Sequence, residues 1–297
     1  MSPDRPEGQA DSQYRDLIRR ILAQGEWSDT RQGPRALTLM QQVLSYPLSE
    51  GYPVIPDRDI SRFWRKAIGE LCAFINGATT VQEIEAFGCD WWGPWATEEK
   101  TRKRNLPDGD LGPGSYGGAY KRFPTAEGPP FDQFAHLVEQ IVELPMLRTH
   151  FVSPWIPQYQ VRGAGKIPRT TIAPCHGTVH VRVLSGRIHL HMFQRSGDVP
   201  VGVPANLAQY SALALMLANL TGYEPGTYYH TISDAHIYEN QLESARELAE
   251  REPRALGTIA LTDAGHQVSS IFDFRSDHFN LTGYDPHPAM SQIAVAI

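Results

Sequence analysis

The chain has 297 residues, with 27 Lys and Arg against 33 Asp and Glu, a net charge of −6, and 41% hydrophobic residues. That is enough apolar material for one large or two small globular units, and the mild acidity without clustered bases speaks against a nucleic-acid binder. Three cysteines, Cys72, Cys89 and Cys175, are too few for a disulfide framework, and no apolar run reaches the length of a bilayer span. A cytoplasmic protein with reduced thiols and no membrane partner is expected, its N-terminus lacking the pattern of a signal peptide.

The first dozen residues are polar and offer nothing to bury, so residues 1–13 are expected to be a disordered extension and 14–297 one domain. Tyr14, Leu17, Ile18, Ile21 and Leu22 recur at spacings of three and four, which predicts a helix over 14–24 ended by Gly25. Residues 37–55 read as extended, with a turn at 49–51. Phe63 to Asn76 carries a wide apolar face closed by Gly77 and predicts a buried helix. Glu70 lies inside that face, where a carboxylate needs either a partner or a place at the boundary.

The stretch 91–118 is expected to be mostly loop. Gly112, Gly114 and Gly117 match a G-x-G-x-x-G spacing, but Pro113 interrupts it, no strand precedes it and no helix period follows it, so a dinucleotide fingerprint is rejected. A helix is expected over 131–144, and 158–169 reads as an irregular insertion.

The strongest β signal is 178–193, where valines alternate with His180 and Arg182, and Ile188, Leu190 and Met192 alternate with His189 and His191. Pairing Val183 with Ile188 gives an antiparallel hairpin that sets His180 opposite His191. No third metal ligand accompanies that pair, so no metal is expected. Residues 206–220 are apolar nearly all round and predict a central buried helix, with a second helix over 236–251 and a β-rich remainder over 257–297. The whole predicts an α+β fold, a mainly antiparallel sheet flanked by helices.

Cys175 enters the hairpin and Arg195 ends its returning strand, so the fold returns a permanent positive charge to the thiol and should lower its pKa. His176, the next residue, should face away from Cys175, which disfavours a protease-like pair. Arg195 and Ser196 precede the start of the central helix, where free backbone donors suit an anion, and Asn206 presents a donor beside an acceptor, suited to the edge of a base. One thiol, one arginine and one amide within about 30 residues point to nucleotide chemistry rather than peptide hydrolysis.

Five segments occur in the order found in the folate-dependent thymidylate synthase family, which the chain resembles from about Tyr14 to Ile297. They are Ala173-Pro174-Cys175-His176, Gln194-Arg195-Ser196-Gly197-Asp198, Val203 to Tyr210, Asp234-Ala235-His236-Ile237-Tyr238 and Gly283 to Pro288. The resemblance implies a homodimer whose sheets pack back to back and a reaction between a pyrimidine nucleoside monophosphate and 5,10-methylenetetrahydrofolate. By that analogy Cys175 adds to carbon 6 of the base, Glu70 moves protons through ordered water, Asn206 favours uracil, and Tyr116 takes part in proton abstraction at carbon 5. Arg31, Arg148, Arg195 and Ser196 match phosphate ligands, Arg148 acting across the dimer; His236 and Tyr238 match the pair on the sugar 3′-hydroxyl. Trp92, Trp95, Asp198, Gly202 and the C-terminal Ile297 match the folate side, where the tail closes over the ligand.

The implied outcome is dUMP methylation to dTMP, with a 5-hydroxymethyl product, water replacing hydride, as the alternative. A non-catalytic nucleotide or folate binder is a third reading, opposed by the retention of Cys175, Glu70, Arg195 and Asn206 together. Departures from the family pattern are Thr149 after Arg148, Ala205 before and Gln209 after Asn206, Gly93 after Trp92, and the insertion before Ile172.

Overall fold

The computed structural model describes residues 11–31, 33–290 and 293–295. The elements, in chain order, begin with α1 (Gln13–Gln24), β1 (Glu26–Ser28), β2 (Ala36–Pro47), α2 (Trp64–Ile75), α3 (Val81–Glu85), α4 (Glu98–Arg102), α5 (Tyr116–Lys121) and α6 (Gln133–Glu143). They continue with β3 (Phe151–Val152), α7 (Pro157–Gln160), β4 (Thr178–Leu184), β5 (Arg187–Asp198), α8 (Gly202–Thr221) and β6 (Glu224–Tyr238). The last are α9 (Leu242–Glu250), β7 (Thr258–Leu261), α10 (Asp263–His266) and β8 (Phe279–Thr282). The fold is α+β.

The periodic helices form where their stripes predict. Helix α1 buries Tyr14, Leu17, Ile18 and Ile21. Gly25 ends it by close approach rather than by a left-handed turn: its φ is −65°, and a Cβ there would stand 2.6 Å from the Ile21 carbonyl and 2.7 Å from Leu37 Cγ. Helix α2 ends on Gly77 at φ +88°, and Asn76 Nδ2 donates to the Cys72 carbonyl at 2.9 Å.

The main sheet runs β1-β2-β6-β5-β4-β3. Every neighbouring pair is antiparallel except β5 and β6, which are parallel and joined by α8 as the crossover. The expected hairpin register holds, with Val183 opposite Ile188 and His180 opposite His191. Helix α8 packs on β5 and β6 and against α2 and α6, which is why it is apolar on almost all sides. Each fully buried leucine in it, Leu207, Leu213 and Leu217 among them, contributes about 1.5–3 kcal/mol.

The outer face of the sheet carries two cross-strand rows. One runs Val43, Thr231, Phe193, Thr178 and the other Ser45, Tyr229, His191, His180, Phe151. Val43, Phe193, Tyr229 and Phe151 in these rows are exposed. Among the described residues no helix is long and apolar enough to cross a membrane.

Four expectations fail. Residues 52–55 form no strand: they are buried in an irregular segment held by Tyr52 N–H on the Gly257 carbonyl at 3.0 Å. Residues 236–238 finish β6 and only 242–250 are helical, because Ile237 pairs with Leu37 at the centre of the sheet. The stretch from 257 is not β-rich, holding only the β7–β8 ribbon, while Ile271, Phe274 and Met290 are buried from turns and loops. The glycine-rich run is followed by a helix after all, the short α5, where Gly117 is required because a Cβ would lie 2.0 Å from the Ala78 carbonyl. Of the disordered extension expected over residues 1–13, residues 1–10 lie outside the described residues, as does the closing role of Ile297; residues 11–13 are ordered, Asp11 bridging to Arg254 and Gln13 opening α1.

Candidate active site

Cys175 sits in the loop entering β4, half-buried, in a cavity of about 230 Å³ walled by Pro154, Trp155, Pro174, His176, Thr178, Phe193 and Arg195. Antiparallel pairing of β4 with β5 brings Arg195 back to it, as the hairpin requires. Arg195 Nη2 donates to Cys175 Sγ at 3.2 Å and to the Ala173 carbonyl at 2.9 Å, and Nε donates to the Pro174 carbonyl at 2.7 Å. The guanidinium is thus fixed by two backbone acceptors before any ligand arrives. The Trp155 ring lies 5.5 Å from it.

The thiol does not behave as the charge alone predicts. Burial pushes the Cys175 pKa up, and Asp234 adds to this; Arg195 and a hydrogen bond from Tyr116 pull it down without overcoming burial. The neighbouring groups are also held neutral. Burial drops His176 to about 3, with Arg195 acting the same way, and raises Tyr116 well above its ordinary value. His176 lines the same cavity, but its Nδ1 meets the Tyr210 hydroxyl at 2.7 Å, while the thiol hydrogen-bonds with Arg195 and the Ala173 carbonyl rather than with the imidazole. Tyr116 at the start of α5 accepts the Cys175 N–H at 2.7 Å.

From Tyr116 the site continues through aromatic packing. Its ring stacks on Phe74 at 4.7 Å and meets Trp92 edge-on at 6.2 Å, and Trp92 lies 6.0 Å from Trp95. Trp92 and Trp91 both donate their indole N–H to Glu70 Oε1 at 2.5 Å. Gln209 Nε2 donates to the other carboxylate oxygen of Glu70 and to the Ala67 carbonyl. Burial raises the Glu70 pKa; the donors from Trp91, Trp92, Gln209 and Cys89 oppose it. Asn206, in the first turns of α8, donates Nδ2 to Gln209 Oε1 at 3.0 Å and accepts from Gln194 Nε2 at 3.0 Å.

The parallel pairing of β5 with β6 gathers a second group. It sets Ser196 beside Asp234 and Asp198 beside His236. His236 Nδ1 lies 2.9 Å from Asp234 Oδ1, and its ring meets Tyr238 edge-on at 5.0 Å. Asp198 accepts from Val201 N–H and from Gln241 Nε2 at 3.0 Å, and burial raises its pKa to about 6. Gln241 also donates to the Ala294 carbonyl at 2.8 Å, which ties the last described segment of the chain to Asp198. Gly202 opens α8 with space for a Cβ no nearer than 3.9 Å from Asn206 Oδ1.

The phosphate candidates divide. Arg31 is exposed in a turn, and its charge together with that of Arg195 presses on Arg162, whose pKa is lowered chiefly by burial. Arg148 is exposed, its carbonyl beside His180 Nε2 at 3.2 Å, and it does not line the Cys175 cavity. Residues that the sequence reading missed are Trp155, Phe193, Gln194, Gln209 as a hydrogen-bonding group, and Arg162. Only Arg162 carried a visible signal, a cation in an insertion close after Trp155. The insertion is itself anchored, Arg169 N–H on the Tyr159 carbonyl at 2.8 Å and Gly114 N–H on the Arg169 carbonyl at 2.9 Å. Among the described residues no group of three or more His, Cys, Asp or Glu gathers as metal ligands. A sequence model of one protein family, thymidylate synthase, matches residues 12–297.

Proposed function

The chain belongs to the thymidylate synthase family, whose chemistry is one-carbon transfer to a pyrimidine nucleotide with methylenetetrahydrofolate as co-substrate, and from that premise we propose that it methylates dUMP to dTMP. The observation that carries this reading is the thiol of Cys175 held 3.2 Å from an immobilised guanidinium at the wall of a cavity. Trp155 offers the cavity a flat apolar wall, and Arg195 suits a phosphate at its edge. The Trp92–Trp95 pair and Asp198, joined to the tail through Gln241, offer flat faces and a carboxylate on the side proposed for folate.

In the proposed reaction Cys175 Sγ adds to carbon 6 of the base, and Asn206 and Glu70 hold and protonate the carbonyl edge that becomes enolate-like. The bound folate supplies the methylene and then the hydride, leaving as dihydrofolate. Tyr116, kept as a neutral phenol, serves carbon 5 deprotonation by passing a proton rather than as a standing anion. His236 and Tyr238 hold the 3′-hydroxyl; Arg31, Arg195 and Ser196 hold the phosphate. Trp92 shields the exocyclic methylene, with Gly202 and Ile297 on the folate side. The exposed Val43, Phe193, Tyr229 and Phe151 support a homodimer through this sheet face, which would carry Arg148 to the partner's phosphate. A cytoplasmic setting keeps the thiol reduced, and residues from about 14 onward act as one catalytic domain.

One observation favours the hydroxymethylase reading. Gly93, next to Trp92, leaves open space where a side chain would stand, and water has room there to trap the methylene. Mass spectrometry of the products from dUMP, UMP, dCMP and CMP, each with methylenetetrahydrofolate, tests both. A 5-methyl product matched by dihydrofolate supports methylation, and a 5-hydroxymethyl product with tetrahydrofolate unoxidised replaces it with the second reading. Absence of any product or of an adduct on Cys175 overturns both.

A further inference from the structure

Asn206 carries an oxygen and an NH2 side by side, and uracil and cytosine present mirror-image edges to such a group. Uracil offers an N3–H donor beside the O4 acceptor; cytosine offers an N3 acceptor beside the N4 amino donor. Half a turn about the last side-chain torsion of Asn206 would exchange its two groups and make it a cytosine reader. An asparagine discriminates between the bases only if something forbids that turn.

The buried surroundings of Asn206 forbid it from both sides. Gln209 Nε2 faces the Ala67 carbonyl at 3.0 Å and the Glu70 carboxylate, two partners that accept. The nitrogen of Gln209 must therefore stay on that side, which turns Oε1 toward Asn206 and demands a donor there, Nδ2 at 3.0 Å. From the other side Gln194 Nε2 faces the Ser196 carbonyl at 3.0 Å and donates to Asn206 Oδ1 at 3.0 Å. The Ser196 carbonyl thus turns Gln194 Oε1 toward His230 Nε2 at 2.7 Å; burial drops the His230 pKa to about 3, and in the Nε2–H tautomer the neutral ring donates to this acceptor. Two backbone carbonyls, which cannot exchange roles, thus terminate a chain of three carboxamides. Turning Asn206 would set oxygen against oxygen at Gln209 and nitrogen against nitrogen at Gln194, both fully or nearly fully buried. In the fixed orientation Asn206 keeps one N–H and one oxygen lone pair for the base.

We propose that Gln209 is a positioning residue that locks Asn206 in the uracil-reading orientation, through the chain Ala67 carbonyl–Gln209–Asn206–Gln194–Ser196 carbonyl. The proposal rests on the assignment of Asn206 as the reader of the base. It also links base reading to Glu70, since one amide group of Gln209 touches both.

The test is the ratio of dissociation constants for dCMP and dUMP on the full chain, a quantity independent of the folded fraction in a preparation. The wild type should prefer dUMP, Gln209→Met should shrink the preference by about tenfold or more, and Asn206→Ala should abolish it. The double variant should match Asn206→Ala alone, because the preference between the bases depends on Gln209 only through the orientation of Asn206. An unchanged ratio in Gln209→Met, or a double variant differing in ratio from Asn206→Ala, overturns the proposal. Should Gln209→Met not fold, Gln194→Met loosens the other end, where a shrunken ratio supports the lock and an unchanged one overturns it. A wild type with no preference between the bases defeats the premise about Asn206 itself, and the lock with it. A wild-type preference that survives loosening defeats the lock alone.

Discussion

Among the described residues Arg195 is the one permanent charge touching Cys175, so replacing it with glutamine should raise the pH at which the thiol becomes reactive. Two unit charges 3.2 Å apart, the Nη2–Sγ separation, interact by about 5 kcal/mol at an effective dielectric constant of 20 and by about 1.3 kcal/mol in bulk water. At 1.36 kcal/mol per pH unit this spans about 1 to 4 units, and because Cys175 is half-buried and opens on a cavity, about 1–2 units is expected. The assay is the pH dependence of iodoacetamide alkylation, read residue by residue by peptide mass spectrometry. Cys72 and Cys89 serve as internal references: both are buried, and burial lifts Cys72 to about 12 and Cys89 further still. Cys175 should react far faster than either in the wild type and be protected by dUMP. A profile in Arg195→Gln displaced by less than about half a unit, or a wild-type Cys175 no faster than Cys72, would refute the electrostatic account of this thiol.

Burial raises Asp57 to about 6 from an ordinary 3.8, its backbone hydrogen bond and the charges of Arg15 and Arg251 opposing. Between those two pH values the folded chain binds more protons than the unfolded one, so this carboxylate makes stability fall as pH rises, by about 3 kcal/mol in all. Asp57→Asn should therefore gain about 2 kcal/mol relative to wild type on going from pH 4 to pH 7 in urea titrations, part of the total being already lost at pH 4; parallel curves for the two proteins would contradict this. Arg162 shares a cationic region with Arg31 and Arg195. Arg162→Ala should weaken binding of dUMP by about 10–100-fold, the worth of one charge-assisted hydrogen bond, and leave deoxyuridine binding unchanged. Equal losses for nucleotide and nucleoside in isothermal titration would show that Arg162 acts through the fold instead.

The helices over 14–24, 63–76 and 131–144 were legible because each buries one stripe of its own surface, so local spacing and burial agree. The β4–β5 hairpin was legible to its register for the same reason, and with it the approach of Arg195 to Cys175. Strand β6 was not. It lies between β2 and β5, partners about 190 and 40 residues away in sequence, and its opening Glu224-Pro225-Gly226 reads as a turn. Its last residues, Ile237 and Tyr238, run straight into α9 with a spacing that a helix also satisfies. Cys175, Arg195, Ser196 and Asn206 stood out from their places in the pattern, whereas the remaining site residues came from resemblance. The hydrogen-bond chain around Asn206 could not be read at all, since its direction is set by the carbonyl of Ala67 on α2 and that of Ser196 on β5, and a sequence does not show where a carbonyl points.

The titration directions share one cause and one consequence. Burial is the largest influence on Cys175, Glu70, Tyr116, His176 and Asp198, and in each it favours the neutral form. The site therefore rests with few charges of its own around a fixed guanidinium. A preformed thiolate would be expensive there, and so would a preformed phenolate. The donors around the site are already oriented by contacts in place: Cys175 N–H on the Tyr116 oxygen, indole and amide N–H groups on Glu70, and the Asn206 amide on Gln209. Charge then appears only where the reaction generates it, facing donors that are already oriented, which is how a low-dielectric site stabilises a transition state more than its ground state.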